Sequence, residues 1–302
     1  MHVLLIAGGW SDERDVSLSG AEGIHTALLE LGHEVERLDP ASDFPEILTR
    51  AGNADFAFIN LHGSPGEDGL IQAMLNQAGC PYQGAGPESS FLSLNKGAAK
   101  TVFDRNGIRT PRWELVCPAD GCRGVEKIKP PLFIKPNSGG SSLGMTFART
   151  EAELAQGIET VFAMGDSALV EEYTAGIEVT CGILDEEALP LILITPPDSA
   201  EFFDYHSKYA PDGAEEICPA PIPADITKEI QRITLKVHRL LGLADYSRAD
   251  FIISEGEPYL LEVNTLPGMT PTSLVPRAAR AAGYSFNDLI AKLIELGQRK
   301  RK

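Results

Sequence analysis

The chain opens on an apolar run, HVLLIAGG (2–9), followed by residues 16–33, where apolar positions return every three or four residues, and then by EVERLDP (34–40). Short apolar runs ending in Gly read as buried strands, and three-to-four spacing reads as a helix with one buried face. DFAFINLHG (55–63) continues as a further buried strand, GLIQAMLNQAG (69–79) as a helix, and PYQGAGPE (81–88) as a last short strand and exit loop. Alternation of this kind predicts an α/β unit: a mostly parallel sheet with helices on its faces.

From Ser93 the pattern changes. Residues 94–108 are helical and TPRWELV (110–116) is extended; PPLFIKP (130–136), GMTFART (144–150) and SALVEEYT (167–174) are strand-like around a helical stretch at 150–164. This is an α+β pattern with antiparallel strands. VTCGIL (179–184) and LPLILIT (189–195) continue it, and EFFDYHSKYAPDGAEEI (201–217) follows as a polar, aromatic-dotted loop, long enough for a candidate lid. A helix at 226–243, a strand pair at 246–253 and 257–264, and a last helix near 286–300 complete the chain. The predicted domains are 1–92, 93–180 and 181–302, with no internal repeat.

Composition narrows the function more than the fold. A net charge of −17 excludes general affinity for nucleic acid, which is bound through clustered Lys and Arg. An acidic protein that handles a polyanion must place its few cations locally, so a lysine in a glycine-rich setting carries information. The first apolar run is too short for a signal-peptide core and has no basic segment before it, and no long apolar run predicts a membrane span. The five cysteines form neither CxxC nor a zinc spacing, in keeping with a reducing cytoplasm.

KPNSGGSSLGM (135–145) is such a setting. Glycine-rich turns gather backbone N–H groups around an anion and Lys135 adds a point charge, which points to phosphate; the plainer reading is a flexible hairpin. Neither the P-loop spacing nor the dinucleotide fingerprint is present, so a phosphate held here sits in a strand-to-strand loop. The second informative stretch is RADFIISEGEPYLLEVN (248–264). Arg248 and Asp250 share one face of a predicted strand, as do Glu262 and Asn264 on the next, and pairing would bring all four together. Asp250, Glu262 and Asn264 offer oxygen ligands, the chemistry that Mg²⁺ prefers.

Together these stretches resemble the ATP-grasp enzymes. GGWSDERDVSLSG (8–20), LHGSPGEDGLIQ (61–72) and NTLPGMTPTSLVPRAAR (264–280) resemble the signatures of D-alanine–D-alanine ligases, in the same order and over nearly the whole chain. The resemblance implies an ATP-grasp fold: an N-terminal parallel-sheet, Rossmann-like domain and two α+β domains that clamp ATP. It implies a homodimer that uses ATP and two Mg²⁺ ions, with Mn²⁺ able to substitute, and that joins two D-alanines through an acyl phosphate for peptidoglycan synthesis. D-lactate or D-serine as second substrate, or an inactive nucleotide-binding homologue, are the alternatives; the complete set of Lys135, Arg248, Asp250, Glu262 and Asn264 speaks against the last.

Site roles follow from the same resemblance. Lys96 and Lys135 would neutralise ATP phosphates beneath a flap from Asn137 to Leu143 that includes Ser141 and Ser142. EEYTAGIE (171–178) would receive adenine and ribose, with Glu171 and Glu178 as side-chain contacts and the backbone from Glu172 to Thr174 at the base edge. Glu172 stands where many relatives have lysine. Asp250, Glu262 and Asn264 would hold the metal, with Arg248 facing the transferring phosphoryl group and the Gly268 N–H serving as oxyanion donor. Glu13 would bind the first ammonium, with His62 nearby. Ser273 and Leu274, opening a helix, would hold the second carboxylate. In the lid, Lys208 and Tyr209 match the closing loop, whereas Phe203 replaces a tyrosine of several relatives. Glu13, Ser141 and Tyr209 would form a triad favouring dipeptide over depsipeptide.

Overall fold

The protein is described here by a computed structural model, in which residues 1–119, 125–139, 144–195 and 215–299 are described. Strands β1 (His2–Ala7), β2 (Glu34–Leu38) and β3 (Phe56–Asn60) form a parallel sheet in the order β2-β1-β3. Val3 to Ile6 are fully buried, as the run of apolar residues without polar alternation requires of a central parallel strand covered on both faces. The helix Arg14–Glu30 buries Gly20, Ala21, Ile24, Ala27 and Leu28, the predicted three-to-four stripe.

Two segments depart from the periodicity reading. Residues 40–51, to which the pattern assigned no element, contain helical turns, Pro40–Asp43 and Ile47–Ala51. Asp39 caps the first by accepting from the Ala41 N–H. The expected strand at 81–88 is reduced to one bridge between Tyr82 and Ala57, and the expected exit loop turns into the helix Pro87–Leu94. Proline at the first helical position marks a helix start as readily as a loop.

The second sheet has the order β4-β7-β5-β6 and is antiparallel, built from β4 (Trp113–Val116), β5 (Leu132–Pro136), β6 (Thr146–Ala148) and β7 (Ala168–Glu172). Its alternation decides what the site receives. Leu132, Ile134, Ala148 and Val170 join the core with Leu154, Ile158 and Val161 of the helix Glu151–Ala163, so Phe133, Lys135, Phe147 and Glu171 take the other face.

The third sheet runs β11-β10-β8-β12-β13, with the short β9 (Glu187–Ala188) beside β8 (Ile177–Leu184). Its other strands are β10 (Ile192–Thr195), β11 (Glu215–Ile217), β12 (Tyr246–Ser254) and β13 (Glu257–Asn264). The end of the expected lid loop is therefore strand β11. The last helix, Phe286–Arg299, packs in a core that β1–β3 share with part of this sheet: Leu289, Ile290, Leu293 and Ile294 lie there with Leu4, Phe58, Leu184, Ile192 and Tyr246. Burying each such side chain contributes about 2 kcal/mol, ample to dock the helix there. The Gly84 N–H donating to Asp245 at 2.8 Å fastens the first unit to the third. Among the described residues no helix is long and apolar enough to cross a membrane.

Candidate active site

Asn95 caps the helix Lys96–Arg105 by accepting from the Ala98 N–H, and Asn137, buried at the base of the glycine-rich loop, accepts from the Gly97 N–H at 2.9 Å. The Lys96 N–H donates in turn to the Asn137 carbonyl at 2.9 Å, and the Ser138 N–H to Asp166 at 2.7 Å. Asn137 and Ser138 are thus the anchored base of the loop rather than part of a covering flap. Lys96 Nζ donates to the Gly139 carbonyl and stands 3.7 Å from Glu262, which joins the phosphate loop to the acidic hairpin.

Beneath the loop lies a chain of charges. Lys135 Nζ is 2.6 Å from one oxygen of Glu171, and Lys100 Nζ is 2.5 Å from the other. Glu171, expected to face the adenine or ribose, has both oxygens ion-paired. Burial would raise its carboxyl, but the two lysines outweigh burial and hold it at about 2. Burial works against the Lys135 ammonium too, yet Glu171 and Glu262 keep its pKa above the ordinary lysine value; for Lys100 burial prevails and the pKa falls. Glu172 accepts from Arg112 Nε at 2.9 Å, so its charge is balanced locally. Phe133, Phe147 and Tyr173 stack into an aromatic surface on the same side, with centroids 4.9 to 5.8 Å apart. Thr174 lies just past β7, and Glu178 on β8 pairs with Ile252 and Ile194.

The hairpin β12–β13 places Arg248 opposite Asn264 and Asp250 opposite Glu262, as the two-residue spacing predicted. The register shifts after Asp250, so that Phe251 pairs with Leu260 and the strand gains a local bend beside the acidic residues. Arg248 grips Asp250 with two N–H groups at 2.9 Å each, and Thr180 and Asn264 donate to the same carboxylate at 2.6 and 3.1 Å. Among the described residues no group of three or more His, Cys, Asp or Glu is arranged to hold a metal ion by itself. Two carboxylates and an amide oxygen at adjacent positions of one hairpin are nonetheless a hard-oxygen set that fits Mg²⁺.

At the opposite wall the loop after β1 is fixed by Arg14, which donates to Gly9 O at 2.8 Å and pairs with Asp39. This sets buried Glu13 at the start of the first helix, and Ser11 ties that loop to His62 by donating to its carbonyl at 2.7 Å. His62 is almost fully buried; burial lowers its pKa, and Arg248 adds to the lowering while Glu13 opposes it. Glu67, which the sequence reading passed over, accepts from Gly63 N–H at 2.8 Å and has its carboxyl pushed up to about 7 by burial and by Glu13. Nothing in GEDG distinguishes Glu67 from Asp68 beforehand. The Leu266 backbone lies beside both His62 and Glu67, bringing the turn that carries Gly268 to this wall. Ser273 Oγ accepts from Thr270 N–H at 3.0 Å, closing that turn, and does not cap the helix Leu274–Ala281 that begins beside it. Ser141, Ser142, Phe203, Lys208 and Tyr209 lie outside the described residues.

Glu67, Ser93, Lys96, Gly139, Glu262 and Asn264 border one cleft. A parallel three-stranded unit followed by two antiparallel sheets, with a lysine loop and an acidic hairpin facing one cleft, is the ATP-grasp architecture. The profile of the family described as D-ala D-ala ligase C-terminus matches residues 102–295. The chain is 80% identical over 302 residues to D-alanine–D-alanine ligase of Maridesulfovibrio salexigens, covering 100% of both. It is 57% identical to that of Nitratidesulfovibrio vulgaris, covering 98% of both. The crystal structure of D-alanine–D-alanine ligase from Bacillus anthracis superposes with a TM-score of 0.87 at 35% identity, over 100% of this chain and 98% of that one. The same enzyme complexed with ATP gives 0.86 at 32% identity, with the same coverage. The chain belongs to the D-alanine–D-alanine ligase family.

Proposed function

We propose that the chain joins two D-alanines into D-alanyl-D-alanine, converting ATP to ADP and phosphate, to provide peptidoglycan precursors. The observation that carries this reading is that a lysine under a glycine-rich loop, a hard-oxygen hairpin and a wall of Glu13, His62 and the half-buried Glu67 meet at one place. The first D-alanine carboxylate attacks the γ-phosphorus, breaking its bond to the bridging oxygen of ADP and giving an acyl phosphate. The amine of the second D-alanine attacks the acyl carbon, loses a proton, and expels phosphate. Lys96 and Lys135 bind the phosphates of ATP, with Ser141, Ser142 and Lys208 closing over them, while Glu178 and the backbone from Glu172 to Thr174 receive ribose and adenine. Asp250, Glu262 and Asn264 would hold Mg²⁺, two ions in all, which when bound offset the charge on the transferring phosphoryl group. Arg248 exchanges its grip on Asp250 for the phosphoryl oxygens, and the Gly268 N–H meets the developing oxyanion.

Glu13 orients the first ammonium beside a His62 that burial keeps neutral. The second carboxylate meets the start of the helix opened by Ser273 and Leu274, where N–H groups and the helix dipole favour an anion. Tyr209, with Glu13 and Ser141, sets the polarity around the incoming amine, so dipeptide forms in preference to D-alanyl-D-lactate. The enzyme works as a cytoplasmic homodimer, which light scattering would register as twice the chain mass. A phosphate-release assay with ATP, Mg²⁺ and a panel of D-amino and D-hydroxy acids tests the whole reading. Release with D-alanine alone is expected; release only with another second substrate would replace the assignment.

A further inference from the structure

We propose that Lys100 is a positioning residue of the nucleotide site, acting through Glu171 to leave Lys135 with an uncommitted positive charge for phosphate. The inference rests on the reading that Lys135 binds ATP phosphates. Lysine is almost never fully buried unless paired, and Lys100 is only 1% exposed. Its Nζ lies 2.5 Å from Glu171 and donates to the Thr110 hydroxyl, while the other Glu171 oxygen lies 2.6 Å from Lys135. If Lys135 alone neutralised Glu171, the pair would be neutral, and drawing Lys135 toward a phosphate would strip a buried carboxylate of its counter-ion. Such a bare buried charge is strongly unfavourable. With Lys100 as a second counter-ion, the three groups carry a net charge of about +1, and Lys135 turns to a ligand without leaving Glu171 unpaired.

The helix Lys96–Arg105 arranges this by its period. Lys96 and Lys100 are four residues apart and share one face, so Lys96 meets the Gly139 carbonyl of the loop while Lys100 lies a turn further along, at Glu171. One helix thus provides a lysine at the cleft and the counter-ion for the carboxylate that steers a second. The Thr110 hydroxyl accepts from Lys100, so the arrangement is perturbed there without changing Lys135 or Glu171.

The test is an ATP titration by calorimetry without D-alanine, together with steady-state KM values for ATP and D-alanine. Lys100→Met should raise the ATP Kd about 10- to 100-fold, the size of a charged contact, and leave the D-alanine KM within about twofold. Thr110→Val, which removes only the hydroxyl, should raise the ATP Kd by about threefold. A folded Lys100→Met enzyme with wild-type ATP affinity, or equal losses for ATP and D-alanine, would overturn the proposal. Should Lys100→Met fail to fold, unchanged ATP affinity in Thr110→Val overturns it instead. A wild-type protein that binds ATP but ligates no D-alanine defeats only the functional reading, whereas one that binds no ATP defeats both.

Discussion

Glu171 and Glu67 are two carboxylates drawn away from water, and they settle at opposite ends of the carboxylate range, about 2 and about 7. Burial pushes both upward. Glu171 has an ammonium on each oxygen, Lys100 and Lys135. Glu67 has the backbone N–H of Gly63 as its hydrogen-bond donor, with Glu13 as a like charge and Lys96 acting only at a distance. Cations decide the sign, not depth. The nucleotide end of the cleft is therefore built of ion-paired charges that meet a polyanion, and the amino-acid end has one carboxyl, Glu67, poised near neutrality, beside a histidine whose pKa is lowered.

The contrast breaks most severely at Glu262, which stands near Lys96 on one side and opposite Asp250 on the other. Glu262→Gln is expected to lower turnover about 10³-fold, the scale for losing a group that stabilises developing charge, and to raise the Mg²⁺ requirement. Phosphate release followed across a Mg²⁺ series measures both. Lys135→Met should weaken ATP binding about 10- to 100-fold while Lys100 keeps Glu171 paired and the fold intact, as calorimetry and a melting curve would register together.

Glu67→Gln sharpens the other end. A carboxyl raised from 4.5 to about 7 in the folded state contributes stability that is present at low pH and is lost as pH rises from 4.5 through about 7. Discounted for the partial exposure of Glu67 at the cleft, the loss is about 1–2 kcal/mol. Urea unfolding at pH 5 and pH 8 should show Glu67→Gln losing less stability than wild type over that interval. Glu171 has the reverse sign: its depressed carboxyl contributes stability above 4.5 that disappears as pH falls toward about 2. The smallest effect belongs to Arg112→Ala, since the pair with Glu172 is exposed. The ATP KM should stay within about twofold and the melting midpoint within about 3 °C. A larger change in KM would mean that the Glu172 charge reaches the nucleotide.

Sequence alone determined the features whose cause is local in the chain. Apolar runs and three-to-four spacing marked the main strands and helices, and the two-residue spacing in RADFII and LLEVN put Arg248, Asp250, Glu262 and Asn264 on one face before any fold was known. The pattern was silent where its signals are ambiguous: Pro87 reads equally as a loop or a helix start, and the end of the 201–217 loop joins a sheet only because β10 offers an edge. Tertiary structure decided the rest, because it depends on which distant groups meet. Lys100 looked like one more helix lysine until folding buried it against Glu171, 71 positions away. Glu67 differed in no visible way from Asp68 until Glu13 and the Leu266 backbone closed around it. The last helix belongs to the first core for the same reason: its apolar stripe specifies that it must be covered, and only the fold supplies the surface of β1–β3 that covers it.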